Sequence, residues 1–355
     1  MRVSVIVPVR NEAAHVRRTL LGLARQDFPA ADFEILVVDG RSDDGTPDVV
    51  RELQTDIPDL HLFDNPRRLA SAGRNVGVAH AGGKYVVIVD GHCHVRDRRL
   101  LRNLVEAFEA TGADTLGRPQ PLRCDEPTPF QRAVATARTS WLGHNPDSDI
   151  YSDAARFVPA DNVAVAYRRD VFDLMGGFDE SFDACEDVEF NTRARRAGLT
   201  CYFAPSLAVE YEPRATLRGL AFQMMRYGRG RARLARKCPG TITAPSLVPA
   251  VWLSWLVAGG LVGLLSAHVA LAVLTSLAAY LLVLVGESVR VGRAEPGLSA
   301  WRLPTVFAAI HAGFGWGYLC EAAAGVRSWP ATAIRRMLLR RLYQSRARSE
   351  ALRAE

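Results

Sequence analysis

Three short polar clusters, each directly after an apolar run, hold the residue types from which this chain's chemistry can be built: Arg10-Asn11-Glu12, Asp39-Gly40-Arg41 and Asp90-Gly91-His92. A carboxylate and an imidazole two residues apart, as at Asp90 and His92, can ligate a divalent cation or bind phosphate. Gly73 and Arg74 stand near an expected helix start, where backbone N–H groups and a cation suit a diphosphate; the plainer alternative is a solvated helix face. An Asp before Gly, as at Asp39, is also common in an ordinary turn. Glu186 and Asp187 head another expected helix, and by themselves read as first-turn acids matched to its dipole.

The elements that must position these residues follow from local patterning. Val3 to Val9 is an apolar, β-branched run of the kind buried on both faces of a parallel sheet, and Asn11-Glu12 then open a helix with Val16, Leu20, Leu23 and Ala24 on one side. Glu34 to Val38 is a second strand stopped by Asp39-Gly40, Pro47 to Leu53 a helix, Leu60 to Phe63 a third strand, and Ser71 to His80 a helix with Ser71 as its N-cap. Tyr85 to Val89 is a further strand ending at Asp90, and Leu100 to Phe108 an amphipathic helix. After Gly112, four prolines (Pro119, Pro121, Pro127, Pro129) mark an irregular segment. Order returns at Phe157 to Arg168, followed by a helix from Asp170, a Gly176-Gly177 break, and a helix from Glu186 to Ala197 closed by Gly198. Strands alternating with helices predict an α/β fold with a mostly parallel sheet. Ligands bind beyond the carboxyl ends of such strands, and all three polar clusters fall there.

Composition narrows the function classes. The 355-residue chain carries a net charge of +6, with Arg-rich runs after Arg214 and after Arg327. Aromatic residues do not interleave with those runs, so nucleic acid is not the expected partner; lipid headgroups are. The six cysteines form no CxxC pair and no zinc spacing, as expected for reduced cytosolic thiols. The first apolar run is too short for a signal peptide. No G-x-G-x-x-G follows the first strand, where Pro8-Val9-Arg10-Asn11-Glu12 stands instead, and this argues against a dinucleotide-dependent oxidoreductase.

From Ser246 to Gly286 the chain contains no Asp, Glu, Lys or Arg. Leu247 to Leu265 and Val269 to Val285 are each long enough for a tilted membrane span, and Ser266-Ala267-His268 makes them a hairpin; the alternative is a buried apolar helix pair. A third apolar stretch, 303–326, holds His311, Glu321 and four glycines. A full span there would put Arg335, Arg336, Arg340 and Arg341 outside, against the positive-inside tendency, so a re-entrant or interfacial segment is favoured. The expected organisation is a catalytic domain (1–213), a basic amphipathic interfacial helix (214–240), a transmembrane hairpin (246–286), a re-entrant or membrane segment (303–326) and a basic cytoplasmic tail (327–355).

Several motifs together resemble glycosyltransferase family 2. They are Ser4-Val-Ile-Val-Pro-Val-Arg-Asn-Glu12, Val37-Val-Asp-Gly40, Ser42-Asp-Asp-Gly-Thr46, Gly73-Arg-Asn-Val-Gly77, Val89-Asp-Gly-His92, Gly176-Gly-Phe-Asp179, Glu186-Asp187 and Gln223-Met-Met-Arg-Tyr227. The resemblance covers about residues 1 to 235, and the hairpin with Arg226-Tyr-Gly-Arg-Gly-Arg231 looks most like the membrane-anchored succinoglycan-type glucosyltransferases of exopolysaccharide assembly. It implies a GT-A fold and an inverting transfer of a hexose from a nucleotide-sugar, a UDP-sugar by resemblance, to a lipid-linked or polysaccharide acceptor. Localisation is expected to be multi-pass in the inner (plasma) membrane, with membrane lipids as partners and the catalytic domain cytoplasmic. Pro8, Arg10 and Glu12 would frame the base and ribose, Asp39 would accept from the uracil N–H, and Gly73, Arg74 and Asp90 would face the diphosphate. Asp187 would be the general base, with Glu186 orienting the acceptor or the helix. Asn162, Gln223, Arg226 and Tyr227 would lie near the acceptor and the diphosphate, although the helix carrying the last three can also be read as a basic membrane-surface face.

The family usually shows Asp-x-Asp where this chain has Asp90-Gly91-His92, so the expected divalent metal, Mg²⁺ or Mn²⁺, would be held by Asp90 and His92. Within the family the variant reading is a polyprenyl-phosphate glycosyltransferase. Outside it, the alternative is a non-catalytic membrane adaptor with a degenerate nucleotide site.

Overall fold

The computed structural model describes residues 1–144, 148–295 and 297–325. The basic tail, 327–355, with Arg335, Arg336, Arg340 and Arg341, lies outside the described residues.

In chain order the elements are β1 (Val3–Val9), α1 (Val16–Ala24), β2 (Phe33–Asp39), α2 (Thr46–Leu53), β3 (Leu60–Asp64), α3 (Ala70–His80), β4 (Tyr85–Ile88), β5 (Cys93–His94), α4 (Leu100–Thr111), β6 (Thr115–Gly117) and α5 (Pro129–Thr139). There follow β7 (Arg156–Phe157), β8 (Ala164–Arg168), α6 (Arg169–Met175), α7 (Glu186–Arg196), β9 (Cys201–Phe203), β10 (Glu210–Tyr211), α8 (Leu217–Lys237), α9 (Ala244–Gly263), α10 (Ala267–Ala294) and α11 (303–325). The main sheet runs β3-β2-β1-β4-β8-β6-β9-β7. Its β3-β2-β1-β4 half is parallel, and β8 pairs antiparallel with both β4 and β6. The mostly parallel sheet predicted from the strand–helix alternation is therefore present.

Strands that look uniformly apolar in sequence divide their residues by period two. Val5, Val7, Val9, Ile35, Val37 and Val87 pack with α1, α2 and α4 on one face. Ile6, Leu36, Val38, Val86 and Ile88 pack with Tyr167, Phe172, Phe178 and Phe190 on the other. Both faces are covered, so alternation of polarity has nothing to act on. Register then sets the site: Val9 pairs with Asp39 and Asp39 with Asp64, so β1, β2 and β3 end level, and the Val89 N–H still donates to the Ile6 carbonyl (3.0 Å). Asp90 follows at once on the same edge.

Some local expectations are corrected. The chain after β1 does not open a helix at Asn11; α1 starts at Val16, because the Asn11, Glu12 and Ala13 N–H groups donate to side chains of the 42–46 turn. Ser71 is not the N-cap of α3. Leu69 holds that position, and the Ser71 hydroxyl donates to the Phe182 carbonyl instead (2.9 Å). The proline-marked segment contains β6 and α5. Pro129 sits in the first turn of α5, and Thr128 and Gln131 form its capping box, a helix start that also uses proline.

Beyond β10 the described residues are mostly helical. Helices α9 and α10 are each long and apolar enough to cross a membrane, and Val251, Val257, Leu261, Leu271, Leu274 and Leu282 point outward rather than into a core. A third cluster joins Val134 of α5, Leu220 and Met224 of α8, Leu284 and Val291 of α10, and Leu303, Val306, Phe307 and Ile310 of α11. Helix α11 lies parallel to α8 at backbone contact. A Cβ on Gly313, Gly317 or Gly228 would sit 2.7 Å from the Ala221 carbonyl oxygen, 2.0 Å from that of Met225 and 2.0 Å from that of Phe314, respectively.

Candidate active site

At the carboxyl end of β2, Asp39 is 7% exposed and its carboxylate accepts from the Ser42 hydroxyl (2.5 Å) and the Ser42 N–H (3.0 Å). The same hydroxyl accepts the Asn11 N–H (2.8 Å), Thr46 Oγ1 accepts that of Glu12 (2.8 Å), and Asp44 that of Ala13 (3.0 Å). The Asn11 side chain accepts the Asp43 N–H in return (3.1 Å), with Asn11 itself at a left-handed φ of 57°. Two loops at the ends of β1 and β2 are thus stitched together by side chains. Arg10 stands exposed above them, with Nη1 donating to the Arg68 carbonyl (3.3 Å). Pro8 and Gly73 meet beneath: a Cβ on Gly73 would lie 3.6 Å from the Pro8 Cβ and 3.2 Å from Asn65 Nδ2. The Gly73 N–H is spent within its helix, on the Leu69 carbonyl.

The turn after β4 runs hard against β1. A Cβ on Gly91 would come within 2.6 Å of Val9 Cγ1, so only glycine lets Asp90 and His92 flank this position. His92 Nδ1 lies 2.8 Å from Glu12 Oε1, its ring meets Tyr211 edge-on with centroids 4.5 Å apart, and its Nε2 is buried without a partner. Burial holds the Tyr211 phenol well above its ordinary range, reinforced by Tyr227 and Asp90, so it remains a neutral hydroxyl.

Arg74, on α3, is the electrostatic hub. Its Nη2 is 3.2 Å from Glu186 Oε1 and 3.8 Å from Asp90 Oδ1, and its guanidinium lies over the Phe178 ring at 5.5 Å. Burial works against its charge, but Glu186, Asp187 and Asp90 together keep the proton more tightly bound than usual. Burial pushes the Glu186 carboxyl upward while Arg74 opposes it and Asp187 adds to it. The Gly-Gly-Phe-Asp motif braces this hub: Phe178 N–H donates to Asn75 Oδ1 (2.7 Å), and a Cβ on Gly177 would strike that same oxygen at 2.5 Å.

On the opposite wall, Glu186 and Asp187 begin α7 after Cys185, whose φ of 62° turns the chain sharply into the helix. The loop before them is held by α8. Arg226 donates to the Asp183 carbonyl, Arg233 to Asp183 Oδ1 (2.9 Å) and the Ser181 carbonyl (2.6 Å), and the Cys185 thiol to the Tyr227 carbonyl (3.7 Å). Gln223 donates to the Tyr227 hydroxyl (3.3 Å), and the Arg138 guanidinium stands over the Tyr227 ring at 6.0 Å. Arg226 and Tyr227 therefore meet the loop that leads into Glu186 and Asp187. Asn162 closes a short turn, Ala160–Asn162, which packs against α7.

One residue of this edge was invisible to sequence reasoning. Arg118, directly after β6, is 2% exposed; Nη2 donates to the Ile88 carbonyl (3.2 Å), while Nε and Nη1 are buried without partners. Burial lowers its proton affinity, and the nearby Asp90 carboxylate works in the opposite direction. Its only signal was a Gly-Arg step ending a short apolar run.

Among the described residues, no three His, Cys, Asp or Glu side chains gather as a metal site. The turn after β4 offers the Asp90 carboxylate and a buried nitrogen without a partner, His92 Nε2. That donor set fits a cation whose other ligands come from a substrate diphosphate.

Comparison with known proteins agrees with this geometry. The family model "Glycosyl transferase family 2" matches residues 4–173. Over 231 residues the chain is 33% identical to the succinoglycan biosynthesis protein ExoA of Rhizobium meliloti (strain 1021), covering 64% of this chain and 68% of that protein. Over 253 residues it is 24% identical to the dolichyl N-acetyl-α-D-glucosaminyl phosphate 3-β-D-2,3-diacetamido-2,3-dideoxy-β-D-glucuronosyltransferase of Methanococcus voltae, covering 66% and 74%. Among solved structures, the mannosyltransferase PcManGT from Pyrobaculum calidifontis, in complex with GDP-Man and Mn²⁺, superposes with a TM-score of 0.54 at 22% identity over 89% of this chain and 87% of that one, which places the α/β domain in the GT-A fold. With strand-end acids, the Arg74 hub and a matched relative all in register, the chain belongs to glycosyltransferase family 2 and is a glycosyltransferase.

Proposed function

We propose that the enzyme transfers a hexose, with inversion, from a UDP-sugar to a lipid-linked saccharide at the cytoplasmic face of the plasma membrane, in the assembly of an exopolysaccharide or cell-envelope glycan. The observation that carries this reading is the convergence on Arg74 of Asp90 from the donor edge and of Glu186-Asp187 from the acceptor wall. Asp39 is the base-reading carboxylate; each ionised oxygen keeps acceptor capacity beyond its bonds to Ser42. Asp187 takes the proton of the acceptor hydroxyl as its oxygen bonds to the anomeric carbon. The bond from that carbon to the diphosphate oxygen breaks, and the nucleoside diphosphate leaves with the electron pair. A divalent cation at Asp90 and His92 would neutralise charge on the leaving diphosphate. Arg74 adds a fixed positive charge on the same side.

The lipid-linked acceptor is supported by the dolichyl-phosphate substrate in the archaeal relative's name and by the two apolar helices directly after the catalytic domain. Helix α8 presents Leu217 and Phe222 outward among its arginines, as an interfacial helix does. Because α11 is unbroken and runs parallel to α8 along its length, it belongs to the same interfacial layer, with Trp301 and Trp316 exposed as headgroup-level anchors. The test is a screen of UDP- and GDP-sugars with the full chain in nanodiscs and a polyprenyl-diphosphate-linked saccharide, reading nucleotide release and anomeric configuration. Turnover of one UDP-hexose with inverted product is expected; retention of configuration, or release only from GDP-sugars, overturns the reading in that respect.

A further inference from the structure

The Glu12–His92 pair has no counterpart in an Asp-x-Asp turn, and its geometry assigns each partner a task. His92 Nδ1 and Glu12 Oε1 are 2.8 Å apart, with side chains 15% and 18% exposed. Glu12 is fixed from its own backbone, whose N–H donates to Thr46 Oγ1 (2.8 Å), and Tyr211 blocks the imidazole from swinging by packing against the ring. An ionised carboxylate can only accept, so Nδ1 is the nitrogen that donates, and in the neutral imidazole the remaining ring nitrogen, Nε2, carries a lone pair. Nε2 is buried and bonded to nothing in the chain. A buried acceptor left without a partner is costly unless something else uses it.

We propose that Glu12 is a positioning residue that locks His92 in the Nδ1–H tautomer, so that Nε2 serves as a nitrogen ligand to the divalent cation carried by the nucleotide diphosphate. Resting on the nucleotide-sugar reading above, this changes which cation the site prefers. Mn²⁺ also favours oxygen ligands but accepts an imidazole nitrogen more readily than Mg²⁺, which dehydrates reluctantly and keeps an all-oxygen shell. A carboxylate bonded to the far nitrogen orients a metal-ligating histidine, and loss of such a partner typically lowers metal affinity ten- to hundred-fold. Glu12 accordingly acts on the cation through His92.

The experiment is pulsed EPR and calorimetry on the full-length protein in nanodiscs with Mn²⁺ and, in separate arms, UDP or GDP. Protein carrying ¹⁵N-histidine should show a histidine nitrogen coupling to Mn²⁺ that is lost in His92→Gln. Glu12→Ala should weaken Mn²⁺ binding to the protein–nucleotide complex ten- to hundred-fold. Glu12→Gln, whose amide oxygen still accepts Nδ1–H, should stay within a few-fold of the parent. His92→Asp should shift the Mn²⁺ to Mg²⁺ affinity ratio towards Mg²⁺ by about tenfold or more. Nucleotide and Mn²⁺ bound together without histidine coupling, or a Glu12→Ala variant with unchanged Mn²⁺ affinity, overturns the proposal and leaves the nucleotide-sugar reading standing. Failure of both nucleotides to bind overturns the two together.

Discussion

The Arg74 guanidinium stands 3.2 Å from a Glu186 carboxylate oxygen and 3.8 Å from one of Asp90, so one buried cation ties the turn after β4 to the helix that carries Asp187. Removing one member of such a pair leaves the other charge buried and uncompensated, at about 3–5 kcal/mol. Arg74→Met is therefore expected to lower the melting temperature sharply and to abolish transfer. The double variant Arg74→Met/Glu186→Gln, which removes both charges, should recover most of the lost stability but none of the activity. A single variant that melts with the parent would show that the pair is not a structural unit.

Asp187 should separate chemistry from binding. Asp187→Asn keeps shape and helix position but cannot take a proton, so kcat should fall about 10²–10⁴-fold. Calorimetric affinity for the donor nucleotide should stay within about twofold, because the proposed role of Asp187 is on the acceptor hydroxyl.

Arg118 gives the opposite signature to Arg74. A guanidinium keeps its charge even where two of its nitrogens lack partners, and this is a net burden on the empty enzyme. Arg118→Met should leave the melting temperature unchanged or raise it, while kcat/KM falls at least tenfold. A variant that loses stability and keeps activity would reassign Arg118 to the fold.

Acid stability should report the Asp179–Lys237 contact, which joins the Gly-Gly-Phe-Asp segment to the end of α8. Against the upward push of burial, hydrogen bonds from Lys237 and Ser181 hold the Asp179 carboxyl down at about 2. A carboxyl depressed in the folded state stabilises it above the unfolded value, near 4, and loses that contribution as pH falls towards 2. After discounting for solvent screening the effect is about 1 kcal/mol. Denaturation curves of the parent and Asp179→Asn should converge between pH 4 and pH 2, and parallel curves across that range would refute the assignment.

What could be read in advance follows a physical divide. Asp39 and Asp90 close apolar runs, Gly198 takes the positive φ of 82° expected after α7, and the Glu186 start of that helix is marked by its acids; all are local signals. Asn75 holding Phe178, Ser71 holding Phe182 and Arg118 reaching Ile88 join residues 103, 111 and 30 positions apart, and no local pattern encodes such pairs. Helix α5 was hidden because its prolines signal irregular chain as readily as a first turn, and the Thr128–Gln131 box that decides between them is brief.

The glycine seam between α8 and α11 bears on how this enzyme can be handled. Arg233 holds the loop before Glu186 through Asp183 on one side and bonds Glu321 of α11 on the other (3.0 Å), with Arg236 bonded to the same glutamate. A shortened chain ending after α8, the natural choice for a water-soluble preparation, would take Glu321 from both arginines, leaving Arg233 with Asp183 alone, and lay bare a backbone groove shaped by Gly228. Workable soluble forms will need α11 retained or its imprint on α8 rebuilt.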